Sequence, residues 1–279
     1  MSARARRRVG RIALNTAAIV VFAFSVFPVY WMVNTAFLPG SAVKSETPHF
    51  WPDEFTLRSF AAAWSDGFLP ALSVSLAVTV LTVVVALLFA FLASIAVTRY
   101  RFRSRKTFIV AILVIQMIPA EAMIISTFRV LDGWHLLNTI VGLSAVYIAM
   151  VLPFTIWTLR GFVNGVPAEL EEAAMIDGCS RSQAFWRVTF PLLAPGLVAT
   201  GIFAFIQAWN EFVFALVIMT RPESQTLPIW LRAFVQATKA TDWAVVMAGS
   251  TLMAIPVIVF FLIVQGRMTG GLVSGAVKG

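Results

Sequence analysis

Six long apolar stretches, set apart by polar residues, constrain this chain more than any other feature. They are Ile12–Asn34, Ala71–Thr98, Thr107–Phe128, Thr139–Leu159, Leu192–Thr220 and Val245–Gln265. A helix needs about 20 apolar residues to cross about 30 Å of hydrocarbon, and each stretch reaches that length. The second, fourth and sixth carry no charged residue, whereas the third holds Glu121 and the fifth Glu211. The second and fifth are longer than a crossing needs, which predicts tilt or extension beyond the bilayer. Only 12% of residues are charged, against about 25% in a soluble domain, and a soluble chain this apolar would expose large sticky patches. The pattern predicts an all-α integral membrane protein. Six transmembrane helices fill residues 12–265, with a basic N-terminus at 1–11 and a C-terminal tail at 266–279.

Six crossings put both ends on one side, and positive charge chooses the side. Fifteen of the 21 basic residues fall on the N-terminal side: Arg4, Arg6, Arg7, Arg8 and Arg11, then Arg99, Arg101, Arg103, Arg105 and Lys106, then Arg160, Arg181 and Arg187, then Arg267 and Lys278. The other side holds Lys44, Arg58, Arg129, Arg221, Arg232 and Lys239. This predicts an N-in, C-in orientation. It also explains the net charge of +8 as a topology signal rather than a nucleic-acid footprint. The basic start followed by Ile12–Asn34 mimics a signal peptide. Its apolar part is too long for a typical signal core and lacks a clear small-residue cleavage site, so an uncleaved first span is expected. Cys179 is the one cysteine, which precludes an intrachain disulfide. His49 and His135 are isolated and expected outside, so neither a metal site nor a catalytic residue is expected.

The connections differ in character. Residues 35–70 form a long external segment rich in proline and aromatics, in which 56–65 could be a short amphipathic helix on the membrane surface. Residues 221–244 form a second external loop. Residues 160–191, on the inside, carry the most organised polar sequence. Pro167 suits a first helical turn, and Glu169, Glu171 and Glu172 follow where carboxylates favour a helix N-terminus. Leu170, Ala173, Ala174 and Asp177 continue that helix. Gly178 sits where a helix stops, and Ser180 with Gln183 has the spacing of a capping box that starts a second helix, which Pro191 is expected to end. A helix, a glycine turn and a helix on the cytoplasmic face follow from these residues. On these features alone, a hairpin that only links two spans fits as well as a docking element.

The same loop resembles the EAA motif of binding-protein-dependent ABC importer permeases. Glu172, Ala173 and Ala174 are followed at the motif's spacing by Gly178, Val188, Phe190 and Pro191, with Val188 and Phe190 replacing the commoner Ile and Leu. Further stretches are similar to the maltose-type sugar permease branch: Gln116 to Pro119, Trp209 to Phe212, Thr226 to Pro228 and Gly271 to Gly279. The resemblance covers nearly the full chain and implies a permease subunit carrying a sugar, such as an oligosaccharide or related glycoside. It implies that the loop is a coupling helix in a groove of a cytoplasmic ATPase, with Glu172, Ala173, Ala174, Asp177, Gly178 and Pro191 at that contact. It further implies a second homologous permease subunit, two ATP-binding subunits and an extracytoplasmic sugar-binding protein. ATP and magnesium are expected on the partner ATPase and no cofactor on this chain, which has no phosphate-loop motif of its own.

A carboxylate at mid-membrane costs about 2.5–3.5 kcal/mol on insertion scales, so Glu121 and Glu211 are expected to face the bundle or a wet cavity. With Gln116, Trp209 and Asn210 they are candidates for lining a sugar path; interhelical pairing is the alternative. Pro119, Pro153, Pro195 and Pro256 lie in or near spans as hinges or, more simply, as kinks. Two other functions fit the sequence less well than an importer subunit. A self-sufficient ion-coupled secondary transporter leaves the EAA spacing unexplained, and an intramembrane protease lacks a nucleophile and base at depth.

Overall fold

A computed structural model describes residues 3–235 and 241–275, with side chains described over 10–235 and 241–266. Among the described residues the regular elements are helical: α1 (Ala3–Phe37), α2 (Gly40–Val43), α3 (Arg58–Ala63), α4 (Leu69–Arg99), α5 (Arg105–Gln116), α6 (Ile124–Gly133), α7 (Ile140–Gly165), α8 (Glu169–Ile176), α9 (Arg181–Ala184), α10 (Phe190–Asn210), α11 (Val213–Ile218), α12 (Leu227–Arg232) and α13 (Trp243–Gly275). Five helical stretches are long and apolar enough to cross a membrane, and a sixth crossing is possible if the bent pair α5 and α6 counts as one.

The chain divides into two compact units. The first comprises Met1–Phe68 and Leu231–Ile255. Here the segment after α1 folds back onto the end of that helix. The Asn34 side-chain amide donates to the His49 carbonyl at 2.8 Å, and the Tyr30 hydroxyl donates to the Phe50 carbonyl. Rings reinforce the fold-back, with Trp31 against Phe50 at 5.5 Å and Phe37 against Phe60 at 4.9 Å. Such aromatic clusters suit the headgroup level of a bilayer. The short helix expected at 56–65 forms as α3, over Arg58–Ala63.

The second unit comprises Leu69–Trp230 and Pro256–Gly279. Its framework is α4 packed on α7 and α10. The buried residues of α4 are Ala71, Ser75, Val78, Thr79, Thr82, Ala86, Ala90, Ser94 and Val97. They recur every three or four positions, which places them on one helical face, and nearly all are small. Without a hydrophobic drive between helices in lipid, small side chains allow the close backbone approach that supplies packing. Gly196 of α10 serves the same end, since a Cβ there would come within 2.8 Å of the Phe162 side chain of α7. At one end of the bundle, Asn138 adopts φ +58°. Its side-chain oxygen accepts from Thr220 Oγ1 at 3.3 Å, the Arg221 N–H at 2.9 Å and Ser224 Oγ at 3.0 Å. Next to it, the Thr139 hydroxyl caps α7 by accepting the Gly142 N–H at 3.0 Å.

Three sequence expectations change. The third stretch is not a straight helix over 107–128: α5 and the helical segment from Ala120 to Gly133 meet at 89°. The cause is Pro119, which lacks a donor and disfavours helical backbone at the residue before it. The last turn of α5 tightens instead, with the Met117 and Ile118 N–H groups reaching only three residues back. The fifth stretch is not one helix over 192–220, because α10 stops at Asn210 and Glu211 is extended with ψ 126°. The inner loop is shorter than 160–191, since α7 continues to Gly165. Helix α13 runs on to Gly275, beyond the apolar stretch, whose candidate crossing is Trp243–Gly266.

Candidate functional site

The inner loop is built by local rules. Val166 is extended (φ −92°, ψ 113°), as a residue before proline prefers. The three glutamates then occupy the first turn of α8, where they complement the helix dipole. At the other end the Gly178 N–H bonds the Met175 carbonyl at 3.1 Å and the Cys179 N–H bonds the Ala174 carbonyl at 3.0 Å. With φ +90° at Gly178, this is the paired stop that a left-handed glycine makes after a helix. Ser180 then opens α9: its hydroxyl accepts the Gln183 N–H at 3.3 Å, while the Gln183 side chain accepts the Ser180 N–H at 2.9 Å. Both halves of the capping box form.

Pro191 does not end this second helix. Residues Phe185–Thr189 form a π-helical turn, with the Phe190 N–H bonded to the Phe185 carbonyl, and Pro191 lies in the first turn of α10. A wide turn leaves carbonyls free of the usual ladder, which accommodates a residue without a donor. The loop helix and the next span are therefore one rod from Arg181 to Asn210.

Side chains of α8 divide into two sets. Glu172, Ala173, Asp177 and Gly178 are exposed and Ala174 is half-buried. Beside them Ile176 is 86% exposed, and Leu170 and Met175 are exposed too. Glu171 faces inward. Its Oε1 accepts from Thr189 Oγ1 at 2.7 Å and pairs with Arg99 Nη2 at 3.3 Å. Sequence reading passed over Glu171, Arg99 and Thr189. Arg99 reads as one more inner positive charge, and Glu171 is indistinguishable from its neighbours in the first turn; its spacing of three from Ala174, on the half-buried side of α8, is the available signal.

The second group lies where α10 breaks. Trp209 is 2% exposed and stacks on Phe205 at 5.6 Å, which stacks on Phe260 at 4.0 Å. Asn210 is exposed and its amide bonds back to the Ile206 carbonyl at 2.9 Å. Glu211 is half-buried. Its Oε1 accepts the Phe214 N–H at 2.8 Å, and its Oε2 accepts the Ala215 N–H at 3.0 Å and the Tyr147 hydroxyl at 2.6 Å. The carboxyl group thus starts α11 and ties it to α7. Gln116 and Glu121 are exposed on the two sides of the α5–α6 bend. Tyr147 was missed by sequence reading because an apolar span containing one tyrosine gives no sign of its partner. Among the described residues no three His, Cys, Asp or Glu side chains are grouped to hold a metal ion.

Residues 86–269 match the family described as binding-protein-dependent transport system inner membrane component. The diacetylchitobiose uptake system permease protein of Streptomyces coelicolor is 48% identical over 97% of this chain and 98% of its own. The trehalose transport system permease protein of Mycobacterium tuberculosis is 34% identical over 99% of both chains. A crystal structure of a bacterial ABC transporter involved in the import of the acidic polysaccharide alginate includes a chain with the same fold. It superposes with a TM-score of 0.79 at 23% identity, covering 95% of this chain and 98% of that one. By the matched family and these identities, the chain belongs to the binding-protein-dependent transport system inner membrane components, the multi-pass, non-catalytic permeases of the cytoplasmic membrane that work with a separate ATPase and a separate binding protein.

Proposed function

We propose that this permease subunit carries an oligosaccharide or related glycoside inward, paired with a second homologous permease, and that its inner loop receives the work of ATP hydrolysis. The observation that carries the substrate class is the 48% identity, over nearly the whole chain, to a permease named for diacetylchitobiose uptake. The trehalose permease of Mycobacterium tuberculosis supports the same class.

The orientation is N-in, C-in, with the transmembrane domain at 12–265, so that α8 and α9 lie in the cytoplasm. There Glu172, Ala173, Ala174, Asp177, Gly178 and Pro191 form the coupling element. The support is physical. An apolar tip of Leu170, Met175 and Ile176, edged by Glu172 and Asp177, is exposed on a helix whose end is fixed by the Gly178 stop. Such a tip suits a groove in a partner. When the ATPase closes on ATP, the helix is displaced and the rod from Arg181 to Asn210 passes the displacement into the membrane.

Gln116, Glu121 and Asn210 supply polar groups to the sugar path, while Trp209 and Glu211 hold the break in α10 at its edge. A charge facing lipid costs about 2.5–3.5 kcal/mol, so the exposed Glu121 needs a wet or protein surface, which the path and a second permease provide. Uptake of labelled mono- and oligosaccharides by a strain lacking this chain tests the proposal. ATP-dependent uptake of a di- or oligosaccharide, restored by the chain only beside its ATPase and binding protein, is expected. Uptake by the chain alone, driven by an ion gradient, overturns it in favour of a secondary transporter.

A further inference from the structure

The inner ends of four helical elements meet at one ion pair. Arg99 is the last residue of α4, where a cation complements the helix dipole. Its Nη2 donates to the Val166 carbonyl, just past α7, at 3.0 Å and pairs with Glu171 Oε1 of α8 at 3.3 Å. The same Oε1 accepts the hydroxyl of Thr189, which leads into α10, at 2.7 Å. The two charged side chains are only 18% and 16% exposed, so the pair is better shielded than a surface ion pair.

This joint matters because α8 otherwise packs on α9 and the π-helical turn at Phe185–Thr189, its own neighbours in the chain, whereas Arg99 brings in the ends of α4 and α7. On one side stands the extended Val166, on the other the glycine turn at Gly178. Without the Arg99 pair, the loop could move on those two hinges without carrying the ends of α4 and α7 along. We propose that Arg99 and Glu171 clamp α8 to the ends of α4, α7 and α10, making them positioning residues that turn displacement of the loop into displacement of the bundle. This rests on the reading of the inner loop as the coupling element. Neither residue needs to touch the ATPase or the sugar. Their effect passes through the elements they join.

The test uses the complete importer in proteoliposomes, with its ATPases and binding protein. The variants are Arg99→Gln, Glu171→Gln and the exchanged pair Arg99→Glu with Glu171→Arg. The sugar-to-ATP ratio is read with Glu172 and Cys179 intact, and crosslinking of the loop to the ATPase is read separately after adding Cys179→Ser and Glu172→Cys to each variant. Each single variant is expected to keep the crosslink while sugar moved per ATP hydrolysed falls about tenfold, within the range seen for coupling residues remote from a ligand. The exchanged pair is expected to recover part of that ratio. A merely structural role would lower crosslinking, hydrolysis and uptake together and leave their ratio unchanged. A wild-type ratio in both single variants, or no recovery in the exchanged pair, overturns the clamp while the crosslink still upholds the coupling loop. A loop that never crosslinks in the unmutated Arg99/Glu171 background overturns both.

Discussion

Replacing Glu211 by alanine separates a supporting role from a sugar-binding one. The carboxyl group takes three donors: two backbone N–H groups that open α11 and the Tyr147 hydroxyl at 2.6 Å. Loss of a helix-capping side chain costs about 1 kcal/mol, up to about 2, and a hydrogen bond between membrane helices averages about 0.6 kcal/mol. Glu211→Ala should therefore destabilise the protein by about 2 kcal/mol, and Tyr147→Phe by about 0.6 kcal/mol. Unfolding of the purified protein by SDS in mixed micelles measures both. The double variant should lose less than the sum of the single losses, because the two side chains share one bond. Transport by the surviving fraction should keep the wild-type KM. If Glu211→Ala unfolds like wild type but raises KM for the sugar, the capping argument is wrong and Glu211 belongs to the path.

Three further outcomes are expected. Gly196→Leu should lower thermal stability by about 1–3 kcal/mol, as overpacking does, because its side chain meets Phe162; combining it with Phe162→Ala should recover part of the loss in the same melt. Gly178→Pro or Glu172→Lys should abolish most uptake at normal expression, the former because proline cannot adopt φ +90°, and wild-type uptake from either would contradict the coupling assignment. A membrane-impermeant maleimide should modify Cys179, the chain's one cysteine, in inside-out vesicles and not in intact cells, and the opposite pattern would reverse the topology.

The membrane architecture was legible because lipid imposes a length on every crossing, and the runs around α4, α7 and α13 meet it without interruption. The glycine stop and the capping box were legible because both depend on residues within five positions of one another. What escaped depends on distance along the chain. Arg99 finds Glu171 and Val166 only after three helices have packed, and Tyr147 finds Glu211 across 64 residues. The breaks at Pro119 and Glu211 escaped for another reason. Hydropathy averages over a run and does not register where the backbone ladder lapses, so Thr107–Phe128 and Leu192–Thr220 read as simple rods. Among the candidate path residues, Gln116, Glu121 and Asn210 remain exposed, while Trp209 sits in a stacked aromatic core.

The π turn at Phe185–Thr189 makes chain length itself a specification. Its wide loop stores one residue more than a regular helix would use over the same rise. Each residue advances an α-helix by about 100°. Deleting one of these five positions would let the turn close into a regular one with both flanking segments in phase, but it would set the Pro191 ring against the carbonyl four residues before it. The number of residues between Ser180 and Pro191 is thereby tied to the proline that follows them.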